Sequence, residues 1–258
     1  MKYIILLIIL LLVLSYNTYN EYYIEEPYII VSTNGGLNNR LRVLLSYLYK
    51  ANIENKKLKL IWIKDAACND DFENLFQDID NVTIIKSMDN YSDFEKKRTK
   101  YVDYDTWDIE NSDYVKNNYN KLLKPIPKLQ TIINNYKNKL NNNYIACHIR
   151  RTDTIGVSYV KHKTDEEYMK YIDQYDNNLK IYIATDNRDT QDTFVKKYGD
   201  RFIVKLIEPN NNFRQTSVQD AVVDIFVCVD AKYFLGTFGS SFSDTIYQMR
   251  NEENKIIN

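Results

Sequence analysis

In 258 residues, thirty-four basic against thirty-five acidic side chains leave a net charge of -1, which removes the electrostatic case for a general nucleic-acid binder. The length suffices to bury the core of one large α/β domain or of two small ones. Three widely spaced cysteines, Cys68, Cys147 and Cys228, show no metal-ligand spacing, so buried thiols are expected rather than disulfides or a zinc site.

The chain opens on "MKYIILLIILLLVLSYNTYN", with an unbroken apolar run from Tyr3 to Leu14. A bilayer span needs roughly 20 apolar residues, so the run is short for a span but suits a signal segment. Residues 1–20 are read as an uncleaved signal anchor, with a cleaved signal peptide as the alternative, which places the rest of the chain in the lumen of the secretory pathway.

From Glu26 onward strands and helices alternate. Strand "YIIVST" (28–33) leads through "NGGLNN" into a helix from about Arg40. Strand "LKLIWI" (58–63), a loop with Asp65 and Cys68, a short helix around "FENLF" and strand "VTIIK" (82–86) follow. The pattern weakens from 87 to 142, with a helix predicted after Pro127. It resumes with strand 143–149, a helix from Thr164, strand 180–185, helix 188–198, strand "RFIVKLI" (201–207), helix 216–231, strand 233–236 and a helix from Ser240. Such alternation signals parallel sheets built from βαβ units. The economical architecture is α/β: two Rossmann-like domains, 27–140 and 141–258, whose parallel sheets face a cleft. One continuous doubly wound sheet is the alternative.

Open parallel sheets bind ligands beyond the carboxyl ends of their strands, and the unusual residues fall there. His148, Arg150, Arg151 and Asp153 follow one strand, and Asp186 follows "KIYIAT". "GTFGSS" leads into the last helix, where the amides of Ser240 and Ser241 form an anion site. Gly35 and Gly36 would let backbone amides approach a phosphate. An arginine at 150 can grip a diphosphate in bidentate fashion. His162, in a polar loop, reads as incidental.

The segment "HIRRTD" (148–153) closely resembles the arginine motif of the α1,6-fucosyltransferases, the rhizobial nodulation enzymes among them, and more loosely that of the protein O-fucosyltransferases. "IATDN" (183–187) is similar to their second motif and "DIFVCVDAKYFLGTFGSS" (224–241) to their third; "GGLNNRLR" and the run from Trp62 to Phe76 resemble the opening of related sugar transferases. The resemblance implies a GT-B-like, metal-independent, inverting glycosyltransferase that moves fucose from GDP-fucose to a glycan or glycoprotein hydroxyl. It implies that Arg150 holds the β-phosphate with Ser240 assisting, Ser241 beside it, and that His148 and Asp224 hold the guanine. Asn39 with Gly35 and Gly36 would line the sugar and phosphate cleft, while Arg151 and Asp186 would support the nucleotide side. Thr154 and Ser158 stand where the α1,6 enzymes carry a lysine and a proposed base, so Asp153 is the candidate base by position, with orientation of Arg150 or Arg151 as its other role. Another GDP-sugar as donor and a glycan-binding pseudo-transferase remain open. A dinucleotide oxidoreductase lacks its G-x-G-x-x-G.

Overall fold

The computed structural model describes residues 27–102, 112–152, 156–208 and 216–250. The apolar segment of residues 1–20 and the candidate base Asp153 lie outside the described residues. No helix among the described residues is long and apolar enough to cross a membrane.

The N-terminal half is a parallel sheet of order β3-β2-β1-β4. Its strands are β1 (Tyr28–Thr33), β2 (Lys57–Ile61), β3 (Val82–Ile85) and β4 (Lys100–Val102). Helix α1 (Leu37–Ile53) follows the glycine pair and buries Leu41, Leu44, Leu45 and Leu48 against the sheet. The expected helix around "FENLF" is a single 3-10 turn, Phe72–Asn74, and a six-residue helix α2 (Asp93–Arg98) precedes β4. Strand β4 is absent from the sequence reading because three residues, only one of them buried, leave no apolar period. Helix α3 (Ser112–Leu122) then packs on α1.

Helix α4 (Pro127–Lys139) starts with proline at its first position, where the missing amide is no loss, and it packs on the second half of the chain. That half is a parallel sheet of order β6-β5-β7, with β5 (Tyr144–Ile149), β6 (Lys180–Thr185) and β7 (Tyr233–Leu235). All six residues of β5 are buried, as befits a central parallel strand covered on both faces. Around it lie α5 (Asp165–Ile172), α6 (Arg188–Tyr198), α7 (Val218–Val229) and α8 (Ser241–Met249). Thr164 with Glu167, and Ser217 with Asp220, form capping boxes that start α5 and α7.

Residues 201–207 do not form the expected strand. Phe202 alone bridges to Ile181, and the polar backbone is claimed by α6: Gln191 donates to the Lys205 carbonyl and accepts from the Ile207 amide, while Arg188 donates to the Ile207 carbonyl. Groups so satisfied have no call for a ladder partner.

One hydrophobic core spans the chain, joining α1, β1 and β2 to α4, α7, α8 and one face of β5 and β6. A second core fills the other face of the C-terminal sheet. Helix α8 crosses back to pack on α1 and α3. Arg250, just beyond α8, donates to the carbonyls of Cys228, Val229 and Ala231 and so closes the end of α7. Cys68, Cys147 and Cys228 are free thiols, all buried.

Candidate functional site

Period-two alternation along β5 sends Ile145, Cys147 and Ile149 to one core and Tyr144, Ala146 and His148 toward the layer of α7 and α8. The His148 ring stacks on Phe242 at 4.3 Å between centroids, and its Nδ1 lies 2.7 Å from the Ser243 hydroxyl. Burial, with the Arg150 charge adding to it, pushes its pKa down to about 3, so the imidazole is neutral.

Thr237, two residues past β7, joins the two strand ends. Its hydroxyl donates to the His148 carbonyl at 3.0 Å, accepts from the Arg150 amide at 3.0 Å and meets the Tyr168 hydroxyl at 3.0 Å. The Tyr168 hydroxyl also reaches the His148 carbonyl at 3.3 Å, so the two hydroxyls, with one proton each, share that carbonyl and each other.

The Arg150 guanidinium reaches Asp186 at 2.9 Å, with the carboxylate 4% exposed and the arginine 17%. Asp186 follows β6 and also accepts from the Arg151 amide at 2.9 Å and from the Thr152 hydroxyl at 2.6 Å. It therefore shapes the whole turn that displays Arg150, and an enclosed carboxylate that accepts this many bonds is well compensated. On the far side the Arg150 carbonyl lies 3.1 Å from His162 Nδ1. A carbonyl only accepts, so Nδ1 carries the proton. His162 is thus part of the site; the sequence contains no signal for this because the contact spans twelve residues and is made by a backbone atom.

Loop 156–162 lies across the "GTFGSS" turn: the Lys161 amide donates to the Phe238 carbonyl, and a Cβ on Gly239 (φ +79°) would stand 2.4 Å from the Tyr159 carbonyl oxygen. Beyond that turn Ser240 caps α8 with no bond from its side chain. The first-turn amides and this hydroxyl offer donors and a partial positive charge at the start of α8.

The remaining predicted residues divide. Arg151 turns to Asp165 at 2.7 Å and over the Tyr168 ring at 6.0 Å. Asp224, on the second turn of α7, accepts from the Tyr182 hydroxyl at 2.5 Å, and burial pushes its pKa up to about 7. Gly35 (φ +76°), Gly36 and Asn39 belong to the other half, at the start of α1. The structure thus brings His148 at the end of β5, Arg150 and Arg151 just past it, Asp186 past β6, and Ser240 and Ser241 at the start of α8 onto neighbouring strand and helix ends, and sets Asp224 against β6. Thr237, Thr152 and Ser243 join that cluster without having been singled out, and His162, expected to be incidental, joins it through the Arg150 carbonyl. No group of three or more potential metal ligands occurs among the described residues.

The family model described as GDP-fucose protein O-fucosyltransferase matches residues 60–253. GDP-fucose protein O-fucosyltransferase 2 of Drosophila melanogaster is 28% identical over 120 residues, 44% of this chain and 24% of its own length. Alpha-(1,6)-fucosyltransferase of the same organism is 23% identical over 145 residues, 50% of this chain and 23% of its own. The chain therefore spans about a quarter of the length of these curated relatives. Among solved structures, NodZ alpha-1,6-fucosyltransferase soaked with GDP-fucose aligns at a TM-score of 0.61 and 14% identity, over 88% of this chain and 93% of that one. POFUT1 in complex with GDP aligns at 0.54 and 13%, over 90% and 96%. The likeness to both is one of fold.

Proposed function

The chain belongs to the GDP-fucose protein O-fucosyltransferase family, and from that premise we propose that it transfers fucose from GDP-fucose to a hydroxyl of a glycan or protein. The observation that carries the reading is the Arg150 guanidinium, clamped by the enclosed Asp186 carboxylate, with its amide held by Thr237 three residues before the cap of α8. In this proposal the two parallel sheets are the Rossmann-like halves of a GT-B-type enzyme, with GDP on the C-terminal half and the Gly35-Gly36 loop with Asn39 across the cleft from it.

The bond from the sugar's anomeric carbon to the β-phosphate oxygen breaks, and its electrons leave with the diphosphate. Arg150, the Ser240 hydroxyl and the α8 amides sit where that charge develops, the kind of preorganised stabilisation that lowers such a barrier most. Attack from the opposite face inverts the anomeric centre. The proton of the acceptor hydroxyl passes to Asp153 or departs with the diphosphate. Neutral His148 and the Asp224 carboxylate would hold the guanine, Asp224 facing its N1 and N2 donors, and Arg151 would support the turn through Asp165. Placement in the secretory lumen, anchored by residues 1–20, belongs to the same proposal.

The experiment is turnover of GDP-fucose, alone and with a glycan panel, by wild type and Arg150→Ala, alongside thermal shifts with GDP, UDP and CMP. Stabilisation by GDP only, with turnover that falls by about 10³-fold in the variant, supports the reading. Equal activity in the variant refutes it, and tight GDP binding without turnover on any acceptor would assign a binding protein instead.

A further inference from the structure

Arg40 is fully enclosed, so it cannot touch a substrate, yet its three nitrogens are all committed. Its Nε donates to the Gly35 carbonyl at 2.8 Å, Nη1 to the Ile63 carbonyl at 2.7 Å and Nη2 to Asp65 at 2.6 Å. The guanidinium lies 5.1 Å from the Trp62 ring centroid. The other carboxylate oxygen of Asp65 accepts from the amides of Ala67 and Cys68. One side chain thus clasps the loop after β1 to the loop after β2. The linkage runs on: the Trp62 indole donates to the Asp70 carbonyl, and the Asp70 carboxylate accepts from Gln219 at the start of α7, in the other half of the molecule.

An apolar side chain of similar volume would fill the same space without the cost of burying a charge. What only arginine supplies is a rigid fork that fixes two carbonyls relative to each other. In a planar trans peptide the carbonyl and the next amide point in opposite directions. Drawing the Gly35 carbonyl inward onto Arg40 therefore turns the Gly36 amide away from the guanidinium, and this amide has no partner among the described residues.

We infer that Arg40 is a positioning residue: it sets the Gly35-Gly36 peptide so that the Gly36 amide and the first turn of α1, with Asn39, face the sugar being transferred. This rests on the proposed function for the identity of the ligand, but not for the clasp itself.

The test compares wild type, Arg40→Met and Arg40→Lys by melting temperature, GDP affinity, GDP-fucose turnover and backbone amide relaxation of residues 35–39, the last needing no ligand. Folded Arg40→Met should bind GDP within about threefold of wild type, lose about 10- to 100-fold in kcat, and show residues 35–39 newly mobile. Arg40→Lys, which keeps a charge for Asp65 but not the fork, should fall between. Unchanged kcat in folded Arg40→Met, or residues 35–39 as ordered as in wild type, overturns the inference; if the methionine variant does not fold, Arg40→Lys decides by the same two readouts. A wild type that turns over no GDP-fucose counts against the proposed function alone, and relaxation then decides the clasp.

Discussion

Both halves of the molecule pair an arginine with an aspartate that follows a strand, and they bury opposite partners. In the N-terminal half Arg40 is fully enclosed and Asp65 is 42% exposed; in the C-terminal half Asp186 is 4% exposed and Arg150 17%. An enclosed cation with an open carboxylate organises backbone, because its bonds end on carbonyls. An enclosed carboxylate with a partly exposed cation instead holds the guanidinium toward the surface, as the proposed anion site requires. Which partner faces water thus separates a structural clasp from the proposed anion-binding group, though both use the same two residue types.

The sharpest way to break this comparison is to remove each aspartate. Asp65→Ala strands a buried charge and should cost about 3–5 kcal/mol of stability, read from denaturant melts. Asp186→Ala leaves Arg150 able to reach water and should cost less, roughly 1–2 kcal/mol, but should lower GDP-fucose turnover by about 100-fold because the guanidinium is no longer held. If the two variants rank the same way in both measurements, the distinction fails. A smaller effect is expected at Gly239→Ala, where positive φ and the clash with the Tyr159 carbonyl combine. About 1–3 kcal/mol is the scale for such strain, measurable as a fall in Tm with weaker GDP binding.

The effects of pH come from two buried groups. His148, lowered from 6.5 to about 3, adds stability that is present above pH 6.5 and lost as pH falls from there. Asp224, raised from 3.8 to about 7, adds stability present at low pH and lost as pH rises through about 7. The slopes oppose each other, so Asp224→Asn should unmask acid sensitivity below pH 6.5 and His148→Gln should unmask loss toward pH 7. Because guanine donors need the carboxylate form of Asp224, GDP affinity should rise about tenfold from pH 6 to 8 in wild type and stay flat in Asp224→Asn.

Much of this was legible in the chain itself. Six of the seven strands among the described residues, and the helix starts at Thr164, Arg188 and Ser240, follow from apolar period and capping residues, because those signals lie within a few neighbours. Where reading failed, the partner was distant: Gln191 diverts residues 203–207 from a strand, and β4 exists only through its pairing with Val31, Ser32 and Thr33.

The sequence by itself determined the parallel α/β alternation, the strand end at which His148 and Arg150 emerge, and the glycine turns before α1 and α8. Tertiary structure alone decided what those groups face: that Asp186 clamps Arg150, that Thr237 and His162 hold its backbone, that Asp224 turns to Tyr182, and that Arg40 is sealed inside while Arg150 is not. The reason is physical. Local pattern reports which backbone conformation a segment prefers, whereas burial and hydrogen-bond satisfaction are settled among residues that meet only after the chain has folded.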